Sequence, residues 1–360
     1  MNIQIDIGHP AHVHIFKNFA WEMQSKGHKI FFTCREKEFE IFLLKKYGFQ
    51  YKSFGKKFSS TIGKLWGMLV FDIKEFIAGI KFKPDILLSH GSIYAAHAAF
   101  LLGKPHISFE DTFNFEQIRF YKPFTKTILT ADYEHPLKGE KIIKYAGYHE
   151  LAYLHPNRFT PDKFVLKELG VEENEKYVIV RFVSWNASHD LGHMGISYEN
   201  KLKAIEEFSK YAKVFVSAEG GLPQSLEKYR INIKPHRMHD ALAFAGMIFG
   251  ESATMVSEGV CLGIPGIYLD NTGRFYTKEE EEKYKMCFNY SESREDQQKA
   301  IQKGCELLKK EGAIIEWKEK RESLLNDKID VTSFLVWFIQ TYPTSARVMR
   351  ENPDYQYNFR

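Results

Sequence analysis

Gly250-Glu-Ser-Ala-Thr-Met-Val-Ser-Glu-Gly-Val-Cys-Leu-Gly-Ile-Pro-Gly-Ile-Tyr-Leu-Asp270 carries the decisive reading of this 360-residue chain. The short apolar run before it, Ala245 to Phe249, reads as a buried strand. Ser252 and Thr254 follow with hydroxyls suited to starting a helix. Gly263 and Pro265 close that helix, and Ile264 to Leu269 opens the next strand. Strand, hydroxyl-bearing turn and helix start together form an anion site, since free backbone N–H groups and the helix dipole face outward there. Glu258 stands four residues past Thr254 and so on the same helix face. Phosphate at the helix start and a diol on Glu258 would together outline a nucleotide ribose. Any α/β protein contains strand–turn–helix units, so local chemistry leaves a plain structural reading open beside this one.

Outward from this segment, apolar runs alternate with helix-period stretches. Strands are expected at Ile3–Ile7, Lys29–Thr33, Asp85–Ser89, His106–Phe109, Tyr177–Val183, Val214–Ser217, Met247–Phe249 and Gly266–Leu269. Helices are expected at His12–Lys26, Glu36–Tyr47 and Ile93–Leu102. This alternation predicts parallel sheets covered on both faces, an α/β architecture. The pattern breaks near Tyr148–Pro161, which suggests an N-terminal Rossmann-like domain over 1–150 and a C-terminal one over 151–330. The apolar helix Val331–Ile339, with the tail to residue 360, is expected to cross back onto the first.

Composition narrows the class. No stretch reaches the ~18 unbroken apolar residues of a membrane span, and no secretory signal precedes the first strand. Cys34, Cys261, Cys287 and Cys305 lack C-x-x-C spacing, so neither a disulfide framework nor a zinc ribbon is expected. A cytoplasmic protein is the expectation from these features. The net charge of +4 and the absence of a basic recognition helix argue against a nucleic-acid partner.

The run Glu251 to Glu258 followed by Leu262-Gly-Ile-Pro265 resembles the nucleotide-sugar signature of GT-B glycosyltransferases and of hydrolysing UDP-N-acetylglucosamine 2-epimerases. The resemblance implies a GT-B-like fold, two doubly wound domains facing a central cleft. It also implies that Glu258 binds ribose hydroxyls while Ser252 and Thr254 face a diphosphate. Gly250-Glu251 departs from the two glycines many members carry there, making this turn bulkier and more acidic.

Between the first strand and helix lies Gly8-His-Pro-Ala-His-Val-His14, at the carboxyl end of a strand where ligands of open sheets gather. Three histidines, His9, His12 and His14, offer a metal site, a general base or charge stabiliser, or simple capping and packing; no metal is expected. The order Gly-His-x-x-His-Val, then Lys26-Gly-His28, is similar to the opening of the lipid-linked N-acetylglucosaminyltransferase of peptidoglycan synthesis. That likeness puts His12 toward the acceptor and the reacting centre. The whole segment also resembles an uncharacterised archaeal and bacterial family of predicted GT-B proteins, over nearly the full length.

Asp85-Ile-Leu-Leu-Ser-His90-Gly91-Ser92 and Gly103-Lys-Pro-His-Ile-Ser-Phe-Glu110-Asp111 resemble loops of both the transferase and the 2-epimerase families. Glu110 matches an epimerase glutamate, whereas Ser92 stands where the epimerases carry an acid. Half of their acid/base pair is therefore missing. In the second half, Arg181 could neutralise a leaving diphosphate, which needs a cation or oriented dipoles when no metal helps. His189-Asp190 could do the same or stabilise a loop. Gly220, in Glu219-Gly-Gly221, offers backbone near a base or ribose, and Arg274 could reach sugar or phosphate. Met238-His239-Asp240 precedes a helix, with Asp240 read as an N-terminal charge. The chain has no Asp-x-Asp, which argues against a metal-dependent site.

Phe54–Lys83 mixes Lys56, Lys57, Lys64, Lys74, Lys81 and Lys83 with large apolar residues. Such a stretch either lies on anionic lipid or buries its apolar face in its own domain. The expectation is a glycosyltransferase, with a nucleotide-sugar donor as substrate, no cofactor, a glycan or lipid-linked acceptor and peripheral membrane contact. The alternatives are a hydrolysing nucleotide-sugar 2-epimerase and a non-catalytic nucleotide-sugar-binding protein.

Overall fold

The computed structural model describes residues 1–56, 61–183, 195–218, 221–310 and 312–360. These fall into two compact units, one formed by Met1–Arg158 with Lys328–Arg360 and the other by Phe159–Asp327. The first contains seven parallel strands: β1 (Asn2–Ile7), β2 (Lys29–Glu36), β3 (Tyr51–Lys56), β4 (Ile86–His90), β5 (His106–Phe109), β6 (Thr127–Ala131) and β7 (Ile142–Tyr145). Their order is β3-β2-β1-β4-β5-β6-β7. The chain therefore starts mid-sheet, builds outward one way, then returns to β1 and builds the other way, so that β1 and β4 flank the switch point. Ile3, Ile5 and Ile7 of β1 are fully buried on one face.

The other face of β1 is polar, unusually for a buried parallel strand. Gln4 donates to Glu75 (2.8 Å), and Thr33 donates to the same carboxylate (2.9 Å). Arg35 grips Asp6 through two bonds of 2.8 and 2.9 Å. Burial, with the Asp6 charge nearby, pushes Glu75 up to about 8.

Proline's fixed φ and missing N–H suit a first helical turn, so the helix after β1 begins at Pro10 and runs to Ser25, two residues earlier than the sequence reading. Strand β2 runs on to Glu36, which shortens the following helix to Glu40–Lys46. The Val331–Gln340 helix belongs to the first unit and packs on the Pro10–Ser25 helix. Its Val331, Phe334, Leu335, Phe338 and Ile339 are buried there. Arg158 fastens the point of return, donating to Glu22 (2.8 Å), Asp330 (2.8 Å) and Ser333 (2.6 Å).

The second unit holds β8 (Tyr177–Phe182), β9 (Lys213–Ala218), β10 (Met247–Gly250), β11 (Gly266–Leu269) and β12 (Cys287–Tyr290), all parallel, in the order β12-β11-β10-β8-β9. Its switch point lies between β8 and β10. Val178, Val180, Phe249, Ile267 and Leu269 from the strands meet Phe208, Ala300 and Ile301 from the helices in one core. No helix among the described residues is long and apolar enough to cross a membrane.

Candidate functional site

Each sheet places chemistry at its switch point. In the first unit, His9 caps the Pro10–Ser25 helix by accepting the Ala11 N–H at Nδ1. One step earlier, the Gly8 N–H donates to Nδ1 of His12 (3.2 Å). The His12 ring stacks on His90 at the end of β4, with centroids 4.6 Å apart. Nε2 of His90 lies 2.9 Å from Asp111 Oδ1, and Asp111 Oδ2 lies 3.0 Å from Nδ1 of His149. Asp111 thus bridges two imidazoles just beyond the end of β5.

Charges follow from this arrangement. Desolvation, helped by the neighbouring His90, holds His12 well below the usual histidine range, so it is neutral. Burial works against charge on His90 as well, but the Asp111 carboxylate outweighs it and raises His90. Burial likewise opposes the Asp111 charge, and His90 with His149 overcomes that and holds Asp111 well below the carboxylate range.

The triplet of histidines read from the sequence does not converge. His14 is buried, with its ring against Tyr47 and Tyr153, and Asp6 is committed to Arg35. Among the described residues, the group with spacing to hold a metal ion is instead His90, Asp111 and His149, whose ligand atoms lie within 4.8 Å of one another.

Glu110 has local duties. One oxygen accepts the N–H groups of Thr112 (2.9 Å) and Phe113 (2.7 Å), and the other accepts the Tyr121 hydroxyl. Phe113 adopts φ 54° in the loop that this carboxylate closes. Ser92, standing where the epimerases carry an acid, caps the Ile93–Leu101 helix by accepting the Ala95 N–H, and it donates to Asp6.

In the second unit, Gly250 has φ 152°, and a Cβ there would sit 2.0 Å from the Arg181 carbonyl oxygen. Only glycine fits so close an approach. The acidic departure at Glu251 turns to internal use. Its carboxylate accepts the N–H groups of Val183 (2.8 Å) and Ile196 (2.5 Å) and pairs with the buried Lys201 at 3.3 Å. Ser252 caps the Ala253–Leu262 helix through the Met255 N–H, and Thr254 is half-buried in its first turn. Glu258 is buried on that helix, 2.9 Å from His239 Nε2.

Arg181, near the end of β8, donates to Ser217 on β9 (3.0 Å). Arg274 donates to Gly273 O (2.9 Å) and Thr272 (3.2 Å), beside the Asp270 loop at the end of β11. Gly220 lies outside the described residues, as do Glu219, His189 and Asp190.

Sequence reasoning missed Asp111, His149 and His239 as partners. Asp111 adjoins Glu110, whereas His149 sits where the strand–helix alternation breaks and carries no local pattern.

Over residues 1–279 the sequence matches the family described as "Protein of unknown function (DUF354)", and the chain belongs to that family. A search of curated proteins finds no match. Among solved structures, the fold is similar to UDP-GlcNAc 2-epimerase from Neisseria meningitidis bound to UDP-GlcNAc. That likeness has a TM-score of 0.63 and 13% identity and covers 98% of this chain and 99% of that one. It is also similar to the Methanocaldococcus jannaschii UDP-GlcNAc 2-epimerase in complex with UDP-GlcNAc and UDP (TM-score 0.60, 13% identity, 86% of this chain and 94% of that one). A third likeness is to the glycosyltransferase VinC in complex with DTDP (TM-score 0.61, 10% identity, 96% of this chain and 100% of that one). The architecture is therefore that of GT-B proteins, two Rossmann-like units each with a parallel sheet.

Proposed function

We propose that this protein is a GT-B-type glycosyltransferase that binds a nucleotide-sugar donor on its second unit and a glycan or lipid-linked acceptor on its first. It would serve surface polysaccharide or glycolipid synthesis from the cytoplasmic side, without a metal or cofactor. The N-terminal N–H groups of the Ala253–Leu262 helix, with Ser252 and Thr254, would take the diphosphate. Arg181 and Arg274 supply countercharge, and the Glu258 carboxylate, oriented by His239, takes the ribose diol.

The observation that carries the acceptor side is the chain of contacts His12–His90–Asp111–His149 at the first switch point. With Nδ1 accepting from Gly8, the neutral His12 ring carries its proton on Nε2 and presents a donor. Of the two chemical roles left open by the sequence, this favours charge stabiliser over general base. His90, held in its pair with Asp111, stacks on the His12 ring and fixes its orientation. Such a site suits an anionic group on the acceptor, such as the phosphate of a lipid carrier. Glu110 acts through the loop it closes, as a positioning residue.

Transfer is favoured over 2-epimerisation because Ser92 replaces one acid and caps a helix, while Glu110 is already bonded to its own loop and to Tyr121. Calorimetry against UDP-, GDP-, CMP- and TDP-sugars tests the donor site. Binding of at least one is expected, and Glu258→Ala should weaken it about tenfold or more, the worth of a charged hydrogen bond. Silence across the panel would end the proposal. Solvent deuterium at the sugar C2 during turnover would replace transfer with epimerisation.

A further inference from the structure

The helix Thr61–Phe82 of the first unit carries two separate apolar stripes, one buried and one exposed. One is used internally. Phe71 and Ala78 are buried with Phe54, and Glu75 reaches under the sheet to Gln4 and Thr33. The other carries Trp66, Leu69, Ile73, Ile77 and Ile80, which are 62%, 54%, 58%, 44% and 50% exposed. Steps of three, four, four and three residues bring all five within an arc of about 80° along ~21 Å of helix. Isolated exposed leucines need no explanation, but an aligned stripe of this length does.

Beside the stripe runs a groove of about 610 Å³ between this helix and the β2–β3 edge of the sheet. Phe31, Phe54 and Phe82 line it, and the exposed Lys52, Lys74 and Lys81 stand along it. Ile77 belongs to both groove and stripe.

We propose that this face of the first unit docks on an anionic lipid bilayer, with the Trp66–Ile80 stripe entering the acyl boundary and Lys52 and Lys81 meeting lipid phosphates, while Lys74 holds the Phe54 carbonyl (2.8 Å). The charge pattern selects this occupant. The groove lining holds lysines and no acidic residue, so anionic headgroups neutralise this face whereas a second copy presents the same sign. A helix fixed to its own sheet on one side and apolar on the other lies in the interface plane and does not span it. The inference rests on the surface of the first unit alone, so it stands or falls separately from the donor site.

Flotation of the full-length protein with phosphatidylcholine vesicles, with and without phosphatidylglycerol, tests it. Binding is expected on the anionic vesicles at low salt and should fade as salt rises. Ile73→Glu/Ile77→Glu and Lys52→Glu/Lys81→Glu should each lower it at least tenfold. Both pairs are solvent-exposed, so circular dichroism and thermal melts should match the parent, and nucleotide-sugar binding should be unchanged. Absence of binding to anionic vesicles, equal binding to neutral ones, or binding unaffected by both variant pairs would overturn the proposal. So would light scattering that shows a dimer dissolved by Ile73→Glu/Ile77→Glu, which would give the face to a second copy.

Discussion

At the scale of single residues, Asp111 organises the first switch point because one carboxylate serves two imidazoles. Replacing it with asparagine should let desolvation win at His90, so that its NMR titration midpoint falls from above 6.5 to below it. The sign for stability follows. His90, raised on folding, contributes fully below its ordinary 6.5 and less as pH climbs through the raised value. Asp111, lowered on folding, contributes above its ordinary 3.8 and less as pH falls through the depressed value. The pair therefore stabilises most between those two ordinary values, and Asp111→Asn should lose stability chiefly in that window, measurable by urea unfolding at stepped pH. Gly250 makes a sharper case, since any Cβ collides with the Arg181 carbonyl. Gly250→Ala should cost on the order of 3–5 kcal/mol in chemical denaturation; a loss under about 1 kcal/mol would mean that the β8–β10 pairing relaxes easily.

At the scale of elements, the tie at Arg158 joins the Pro10–Ser25 helix to the start of the Val331–Gln340 helix. Arg158→Ala would leave the buried Asp330 carboxylate without its cation and should destabilise the first unit by about 3 kcal/mol. Lysine at that position should restore only part, since it cannot present the same fork; full rescue by lysine would reduce the tie to charge alone. What the sequence disclosed follows the same physics of burial. A central strand such as Met247–Phe249 is covered on both faces and reads as an apolar run, while Ile3–Ile7 reads as an alternation of buried isoleucines with Gln4 and Asp6. The edge strands Tyr51-Lys-Ser-Phe-Gly-Lys56 and Cys287-Phe-Asn-Tyr290 mix polar and apolar residues and give no such run. The internal Thr127–Ala131 strand, with two threonines in five residues, and the edge strand Ile142–Tyr145 are also absent from the sequence reading. The site was legible in the same partial way. His12 and His90 announce themselves in loops after strands, but the Asp111–His149 pairing spans 38 positions and leaves no local trace. Glu110 was visible as an acid, while its bond to Tyr121 depends on how a later helix turns.

At the scale of the whole molecule, the first unit is made from two separated stretches of chain and the second from one. Ending the chain at Asp327 would remove, from the Val331–Gln340 helix alone, Val331, Phe334, Leu335, Phe338 and Ile339, each fully buried and worth ~1.5–3 kcal/mol. Together these rival the entire stability of a typical domain, ~5–15 kcal/mol. Limited proteolysis of the 1–327 protein should degrade the first unit while 159–327 survives as a resistant fragment; equal resistance of both would show that the first sheet holds without its returning helix. The same interruption sets an order of events during synthesis. Because domains condense as their residues leave the ribosome, the second unit has all its strands in hand while the first still waits for its closing helix. The half of the molecule that is translated first is the half that matures last, its apolar helix bed open to water until the chain returns.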